Sequence, residues 1–351
     1  MIKPLYRLTL TALVVTAVVI MLGAYTRLTD AGLGCPDWPG CYGFLTVPTQ
    51  AEHVAQAELA FPERPVEAHK AWNEMIHRYF AGSLGLLILG IFLLSMKAKQ
   101  AMGLPTVLLV TVCFQAVLGM WTVTMNLQPL VVMGHLLGGF TTFSLLLLMA
   151  LRLRRQLKPS WIPSLSVVVD KPMLRLLKLS VVVLVLQIAL GGWTASNYAA
   201  VACIQLPVCE DGWQQKFNLA QALTVPTGHA DYEYGVFPFE ARMTIHILHR
   251  MGAAVTTLVL MLLLWRLWRT GQSGNQQMAM GVGLLLIAQV GLGISNVMLQ
   301  IPLAIAVAHN FVAAGLLLSL LACTYLCWHK GQIQIPRSEL ASFTKAASQG
   351  V

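Results

Sequence analysis

Long stretches without a single charge constrain this chain of 351 residues more than any motif does. They run from Leu8 to Thr26, Tyr79 to Met96, Gln100 to Leu151, Leu179 to Cys209, Met251 to Trp265 and Thr270 to His329. A helix that crosses a bilayer needs about 20 mostly apolar residues, and in hydrocarbon every backbone polar group must be satisfied within the segment. Asn126-Leu-Gln-Pro129 and Gln300-Ile-Pro302 each split a long run in two, and the run from Leu179 loses its apolar character after Ser196. The pattern predicts eight transmembrane helices near 8–27, 71–96, 103–126, 129–152, 173–197, 241–268, 276–300 and 302–328. With 57% hydrophobic and 11% charged residues, a soluble fold is excluded and an all-α integral membrane protein is the expectation.

Cytoplasmic loops collect lysine and arginine. With the N-terminus inside, the cytoplasmic segments hold 16 of the 23 basic residues and 2 of the 14 acidic ones. The net charge of +9 therefore reports topology and gives no reason to expect nucleic acid as a partner. Both termini are expected in the cytoplasm, with residues 331–351 as a disordered tail. The first apolar segment ends in Gly23-Ala-Tyr-Thr26, which returns deep in the chain as Gly191-Gly-Trp-Thr194, so it reads as a retained helix rather than a cleaved leader.

That echo is one of many. Thr26, Cys35, Pro39 and Cys41 return 168 positions later as Thr194, Cys203, Pro207 and Cys209. His77 and Arg78 return 172 positions later as His249 and Arg250. Gln115, Leu118, Gly119 and His135 return 174 positions later as Gln289, Leu292, Gly293 and His309. Such an ordered series is the signature of a duplication, here of two parallel four-helix units: 1–155, and 173–330 after a cytoplasmic linker at 156–172. Each unit is expected to bury a cofactor between its helices.

His77, His135, His249 and His309 all fall about two turns inside the outer ends of their helices, on the order of 10 Å below the surface at 1.5 Å per residue. Two histidines at equal depth on neighbouring helices suit the two faces of a planar metal macrocycle, so each unit reads as a bis-histidine haem site. A zinc site is disfavoured, because no cluster of three or four ligands occurs at that depth. The competing reading is hydrogen bonding between helices or a proton path. Arg78 and Arg250 are candidates for pairing with haem propionates, or else snorkel to headgroups. Glu74 lies one turn before His77, and its counterpart is His246, an asymmetry expected if one site does chemistry while the other holds a permanent cofactor. Otherwise Glu74 is an exposed carboxylate near a helix start.

Cys35 and Cys41, like Cys203 and Cys209, form C-x₅-C pairs in outer loops, where an oxidising compartment favours the disulfides Cys35–Cys41 and Cys203–Cys209; the second reads as a structural staple. Cys113, Cys323 and Cys327 read as packing residues within helices. The loop from Thr46 to Lys70 is polar and expected to be mobile, and His53, His69 and His229 are assigned no metal.

The strings Gly23-Ala-Tyr-Thr-Arg-Leu-Thr29, Gly34-Cys-Pro-Asp-Trp-Pro-Gly-Cys41, Glu74-x-x-His77-Arg78, His135, His249-Arg250 and Ala308-His309-Asn310 resemble the haem A synthases over nearly the whole chain. The resemblance implies an oxidoreductase of the bacterial cytoplasmic (inner) membrane. It would oxidise the C8 methyl group of haem O to a formyl group through successive hydroxylations, for cytochrome oxidase assembly. It further implies His77 and His135 as ligands of the substrate haem O, His249 and His309 as ligands of a bound haem b, Glu74 as the catalytic carboxylate, and Cys35–Cys41 as a pair that passes redox equivalents or stabilises the site. His246 is a candidate alternative axial contact. The implied partners are haem O synthase, oxidase assembly proteins and membrane lipid, with room for a homo-oligomer. The residues taken alone also admit a dihaem b-type electron carrier, in which Glu74 is incidental, or a non-catalytic haem-handling assembly factor.

Overall fold

A computed structural model describes residues 1–334, all of them helix or loop apart from an isolated bridge between Cys41 and Phe44. Eight helices are long and apolar enough to cross a membrane, making this an all-α integral membrane protein. They are α1 (Ile2–Leu28), α3 (Ala68–Lys97), α4 (Gly103–Thr124), α5 (Pro129–Leu157), α6 (Lys171–Ser196), α9 (Phe239–Arg269), α10 (Ser273–Met298) and α11 (Leu303–Gln334). Three further helices, α2 (Ala51–Ala60), α7 (Trp213–Lys216) and α8 (Leu219–Ala222), lie in loops. The loop expected to be mobile thus contains a ten-residue helix, with Ala57 packed under Tyr42 and Val47. Gly331–Gln334, expected as tail, continue α11, and the rest of that expected tail lies outside the described residues.

Each turn between paired spans is built from local chemistry. After α4 the chain enters the left-handed region at Asn126 and Leu127, and the Leu127 N–H donates to the Thr122 carbonyl (2.8 Å). After α10 the same happens at Gln300 and Ile301, with Ile301 donating to Asn296 (2.8 Å). This six-to-one bond satisfies a carbonyl that the helix end would otherwise strand. The proline that follows cannot extend the old helix but suits the first turn of a new one, as Pro129 does in α5.

Helices α1, α3, α4 and α5 pack in a closed ring, and so do α6, α9, α10 and α11; α1, α5, α6 and α11 meet along the seam. Leu5, Ile88, Ile91, Leu108 and Leu146 fill the first ring, while Leu177, Leu184, Leu260, Leu263 and Leu320 fill the second together with Phe140 and Phe143 of α5. Cys323 and Cys327 pack as expected, whereas Cys113 is exposed on the outer surface of its helix, because α4 turns that face away from its neighbours.

The two ends of the bundle differ. At one end the linker between α5 and α6 is held down: Lys330 Nζ donates to the carbonyls of Pro163 (2.7 Å) and Leu165 (2.8 Å), and the Asn275 amide bonds both Val168 N–H and C=O. The opposite end carries both disulfides and the helix starts on which all four histidines ride.

Candidate functional site

His77 of α3 and His135 of α5 face each other, with ring centroids 6.4 Å apart and ring planes at 86°. A metal ion bound to two opposed imidazole nitrogens at about 2 Å each holds the ring centres about 6 Å apart, so the pair stands at the spacing that axial ligation from two sides demands. Each Nδ1 is buried and meets no well-aligned hydrogen-bond partner among the described residues. The rings are pressed from behind by glycines: a Cβ on Gly23 of α1 would lie 2.9 Å from His77 Cε1, and one on Gly119 of α4 would lie 3.3 Å from His135 Cε1. Gln115 of α4 donates to the His135 carbonyl (2.8 Å).

The second ring of helices repeats the cradle with different polar neighbours. A Cβ on Gly191 would meet His249 Cε1 at 3.1 Å, and one on Gly293 would meet His309 Cε1 at 3.2 Å. Here the Gln187 amide donates to the His249 carbonyl (2.9 Å) and lies 3.0 Å from its Nδ1, and Gln289 Nε2 lies 3.2 Å from His309 Nε2. The position matching Gln187 in the first half is Val19, so only the second site has an amide against this ring nitrogen.

Glu74 is buried, 4% exposed, which removes the reading of an exposed carboxylate at a helix start. Its Oε2 accepts the Cys35 N–H (3.0 Å) and its Oε1 accepts from Arg78 (2.5 Å). Its counterpart His246 is also buried, and the Nδ1 has no partner among the described residues.

The two arginines do something the sequence reading did not foresee. Arg78 donates to the carbonyls of Cys35 (3.5 Å), Asp37 (2.9 Å) and Gly40 (2.5 Å), and Arg250 to those of Cys203 (2.7 Å), Gln205 (2.6 Å) and Val208 (2.6 Å). The carbonyls correspond one to one at the 168-residue offset. Each guanidinium therefore grips a disulfide loop, and that of Arg78 also pairs with Glu74; the Arg250 Nε is buried with no partner among the described residues. Cys35–Cys41 and Cys203–Cys209 are both bonded, with S–S distances of 2.02 and 2.12 Å. In the first loop the Asp37 carboxylate also accepts the N–H groups of Tyr42 (2.6 Å) and Gly43 (2.7 Å). Burial, with Glu67 nearby, pushes the Tyr42 phenol up to about 12, and its hydroxyl donates to the Pro65 carbonyl (3.0 Å).

The family pattern described as Cytochrome oxidase assembly protein matches residues 6–321. Heme A synthase of Shewanella oneidensis is 51% identical over 323 residues, covering 91% of this chain and 95% of the relative. The chain belongs to the cytochrome oxidase assembly protein family. Proteins of the same name from Mesorhizobium japonicum and Rhizorhabdus wittichii are each 26% identical, over 348 and 343 residues, covering 93% and 90% of this chain and 90% and 91% of their own.

For this member of the family, the donor set fits a haem better than a bare metal ion. Two imidazoles with unpartnered buried nitrogens supply axial ligands and nothing more, and a macrocycle brings its own equatorial donors. Zinc would need four ligands. Among the described residues the one compact group of three candidate ligands is Cys203, Cys209 and Glu210, in a loop, and two of its members are bonded to each other. Buried polar nitrogens left without partners cost about 1–3 kcal/mol each, so the cradle is built for an occupant. The sequence reading missed the four glycines as parts of the cradle, although Gly23 and Gly191, like Gly119 and Gly293, stood in matched strings. Gln187 carried no such signal, since the repeat does not share it.

Proposed function

We propose that this protein is a haem A synthase, an oxidoreductase that converts the C8 methyl group of haem O to a formyl group for cytochrome oxidase. The opposed His77 and His135 rings, with buried Glu74 on the same helix one turn away, carry this reading. The family membership and the 51% identity to a Heme A synthase support it.

In this reading His77 and His135 hold the substrate haem O, and His249 and His309 hold a haem b, which when bound supplies one-electron chemistry. The two sites belong to two duplicated four-helix units, a division supported by the two closed rings of helices and the matched glycine cradles. The histidine-bearing helices α3, α5, α9 and α11 start at the outer face of a bacterial inner membrane and both termini lie in the cytoplasm, a reading supported by the 16 basic residues on the segments assigned to that side.

The chain's own residues orient, shield and move protons. Gly23 and Gly119 let the ligand rings sit against helix backbones, and α1, α3, α4 and α5 exclude water around the methyl group. Glu74 has one oxygen on the Cys35 N–H and the other on Arg78. Held in this way, the carboxylate would accept a proton from the methyl carbon or from attacking water. Arg78 and the Cys35 N–H fix its orientation, which makes them positioning groups. Two hydroxylations, which together take four electrons from the methyl carbon to an external acceptor and add two oxygens from water or dioxygen, would give a geminal diol, whose loss of water yields the aldehyde. His246 in the twin position provides no carboxylate, consistent with a second site that holds its haem permanently. Haem O synthase as supplier, oxidase assembly proteins as recipients and a homo-oligomeric state belong to the same proposal.

The deciding test extracts haems from cells that make this protein together with a haem O synthase and weighs them by mass spectrometry, beside Glu74→Ala. Haem A or its hydroxylated intermediate with the wild type, and only haem O and haem b with the variant, is the expected result. Unmodified haem in both would turn the assignment to an electron carrier or assembly factor.

A further inference from the structure

We propose that Cys203–Cys209 is a thiol–disulfide exchange site for a dithiol protein, with the neighbouring Glu210 carboxylate stabilising the reduced pair. Three observations outside the haem cradle point there. The first is access. Cys35 and Cys41 are both fully buried, whereas Cys203 is buried and Cys209 is partly open to solvent. Disulfide exchange requires approach of a thiolate to one sulfur, and of the four cysteine residues only Cys209 reaches solvent.

The second is the carboxylate. Glu210 Oε2 lies 2.8 Å from Cys209 Sγ, while its Oε1 accepts the N–H of Ile204 (2.7 Å) and of Gln205 (3.3 Å). In the disulfide no proton stands between sulfur and oxygen, so Glu210 Oε2 has no donor on Cys209 to accept from. Once Cys209 is a thiol, its S–H donates across that gap. The contact therefore favours reduction. Burial would raise the Glu210 carboxyl, but the Ile204 and Gln205 N–H groups and the Arg250 guanidinium outweigh it and hold the group below the usual range, so it is the ionised acceptor at neutral pH. The matching residue beside Cys41 is Tyr42, whose hydroxyl is turned away to Pro65.

The third is the rim. Val201, Ile204 and Leu206 are 60%, 54% and 42% exposed around the pair, an apolar surface of the kind that receives a protein partner.

The step balances. One thiolate of the incoming dithiol attacks Cys209 Sγ, forming an intermolecular disulfide and breaking the Cys203–Cys209 bond, whose electron pair leaves on Cys203. The second thiolate attacks its own chain's sulfur in that mixed disulfide and expels Cys209. The two protons of the dithiol end on Cys203 and Cys209, and the dithiol becomes the disulfide, oxidised by two electrons.

The test uses the full chain in detergent micelles, equilibrated in graded ratios of reduced to oxidised dithiothreitol, alkylated, and read peptide by peptide. Cys203/Cys209 should reach half reduction at a ratio at least about tenfold lower than Cys35/Cys41, and Glu210→Gln should raise that ratio about tenfold, the scale of one hydrogen bond to a charged group. Val201→Asp should slow reduction by thioredoxin, used as the protein dithiol, and leave the rate with dithiothreitol unchanged. Simultaneous reduction of both pairs, earlier reduction of Cys35/Cys41, an unshifted Glu210→Gln midpoint, or a thioredoxin rate indifferent to Val201→Asp would each overturn the proposal. Because the readout is thiol labelling, it stands or falls independently of any haem chemistry.

Discussion

At the residue scale, the smallest side chains have the sharpest consequences. The His77 ring stands 2.9 Å from where a Gly23 Cβ would lie, so a methyl group there must push the ring away from its place opposite His135. Gly23→Ala should therefore lower haem retained at the first site at least several-fold, read as haem absorbance per protein after purification. Gly82→Ala, where a methyl group meets nothing within 4 Å, should leave it unchanged. Arg78→Lys keeps the charge beside Glu74 but replaces a fork that reaches three loop carbonyls with a single ammonium. Product formation should fall at least about tenfold while haem content holds, as expected when a group acts by orienting its neighbour. The histidines and Glu74 were legible in the sequence because they recur at fixed offsets or break the recurrence at one place. The arginine grip was not, because hydrogen bonds to backbone carbonyls leave no trace in the identity of the residues that accept them.

At the element scale, α1, α5 and α11 run five or six residues beyond the ends expected at charged residues, to Ile2, Leu157 and Gln334, whereas helix starts and stops marked by proline or by loss of apolar character were readable to within about three residues. The small helix at Ala51–Ala60 was not, since a ten-residue amphipathic segment within a charged loop carries too weak a period to stand out. Asp170 shows a cap at work. Its Oδ1 accepts the Met173 N–H at the start of α6 (2.7 Å) and its Oδ2 pairs with Arg266 of α9 (2.8 Å). Burial would raise this carboxyl, but the Met173 N–H and Arg266 outweigh it and hold the group low. A depressed carboxyl contributes stability above its unfolded value, near pH 4, and that contribution drains away as pH falls through the lower folded value. Asp170→Ala should thus cost about 1 kcal/mol near neutral pH, the usual worth of an N-cap. The difference from wild type should shrink on acidification below about pH 4, which thermal unfolding in detergent at several pH values would show.

At the scale of the whole molecule, the disulfide-bearing end is laced across the seam. Arg64 pairs with Asp231 and with Glu233, Arg27 donates to the Ala195 carbonyl (2.8 Å) and stacks on Tyr198, and Asn126 bonds Ala230 (2.8 Å). Partly exposed ion pairs contribute only about 0.2–1 kcal/mol each, so Arg64→Ala should barely move the unfolding temperature. It should instead raise hydrogen exchange in residues 61–67 and 228–236 together, while Lys70→Ala, whose partner Glu67 is on its own segment, should act only locally.

The bond from Arg27 at the end of α1 to Ala195 at the end of α6 also fixes how the halves stand: side by side, pointing the same way. His77, His135, His249 and His309 consequently sit in one layer, six to ten residues from the starts of their helices. In the proposed reading, an electron passed between the two histidine pairs would travel parallel to the bilayer plane. A unit charge crossing the full membrane exchanges about 2.3 kcal/mol with each 100 mV of potential, but this path runs along a line of constant voltage. Electron traffic between the two haems proposed above would therefore be indifferent to whether the cell's membrane is energised.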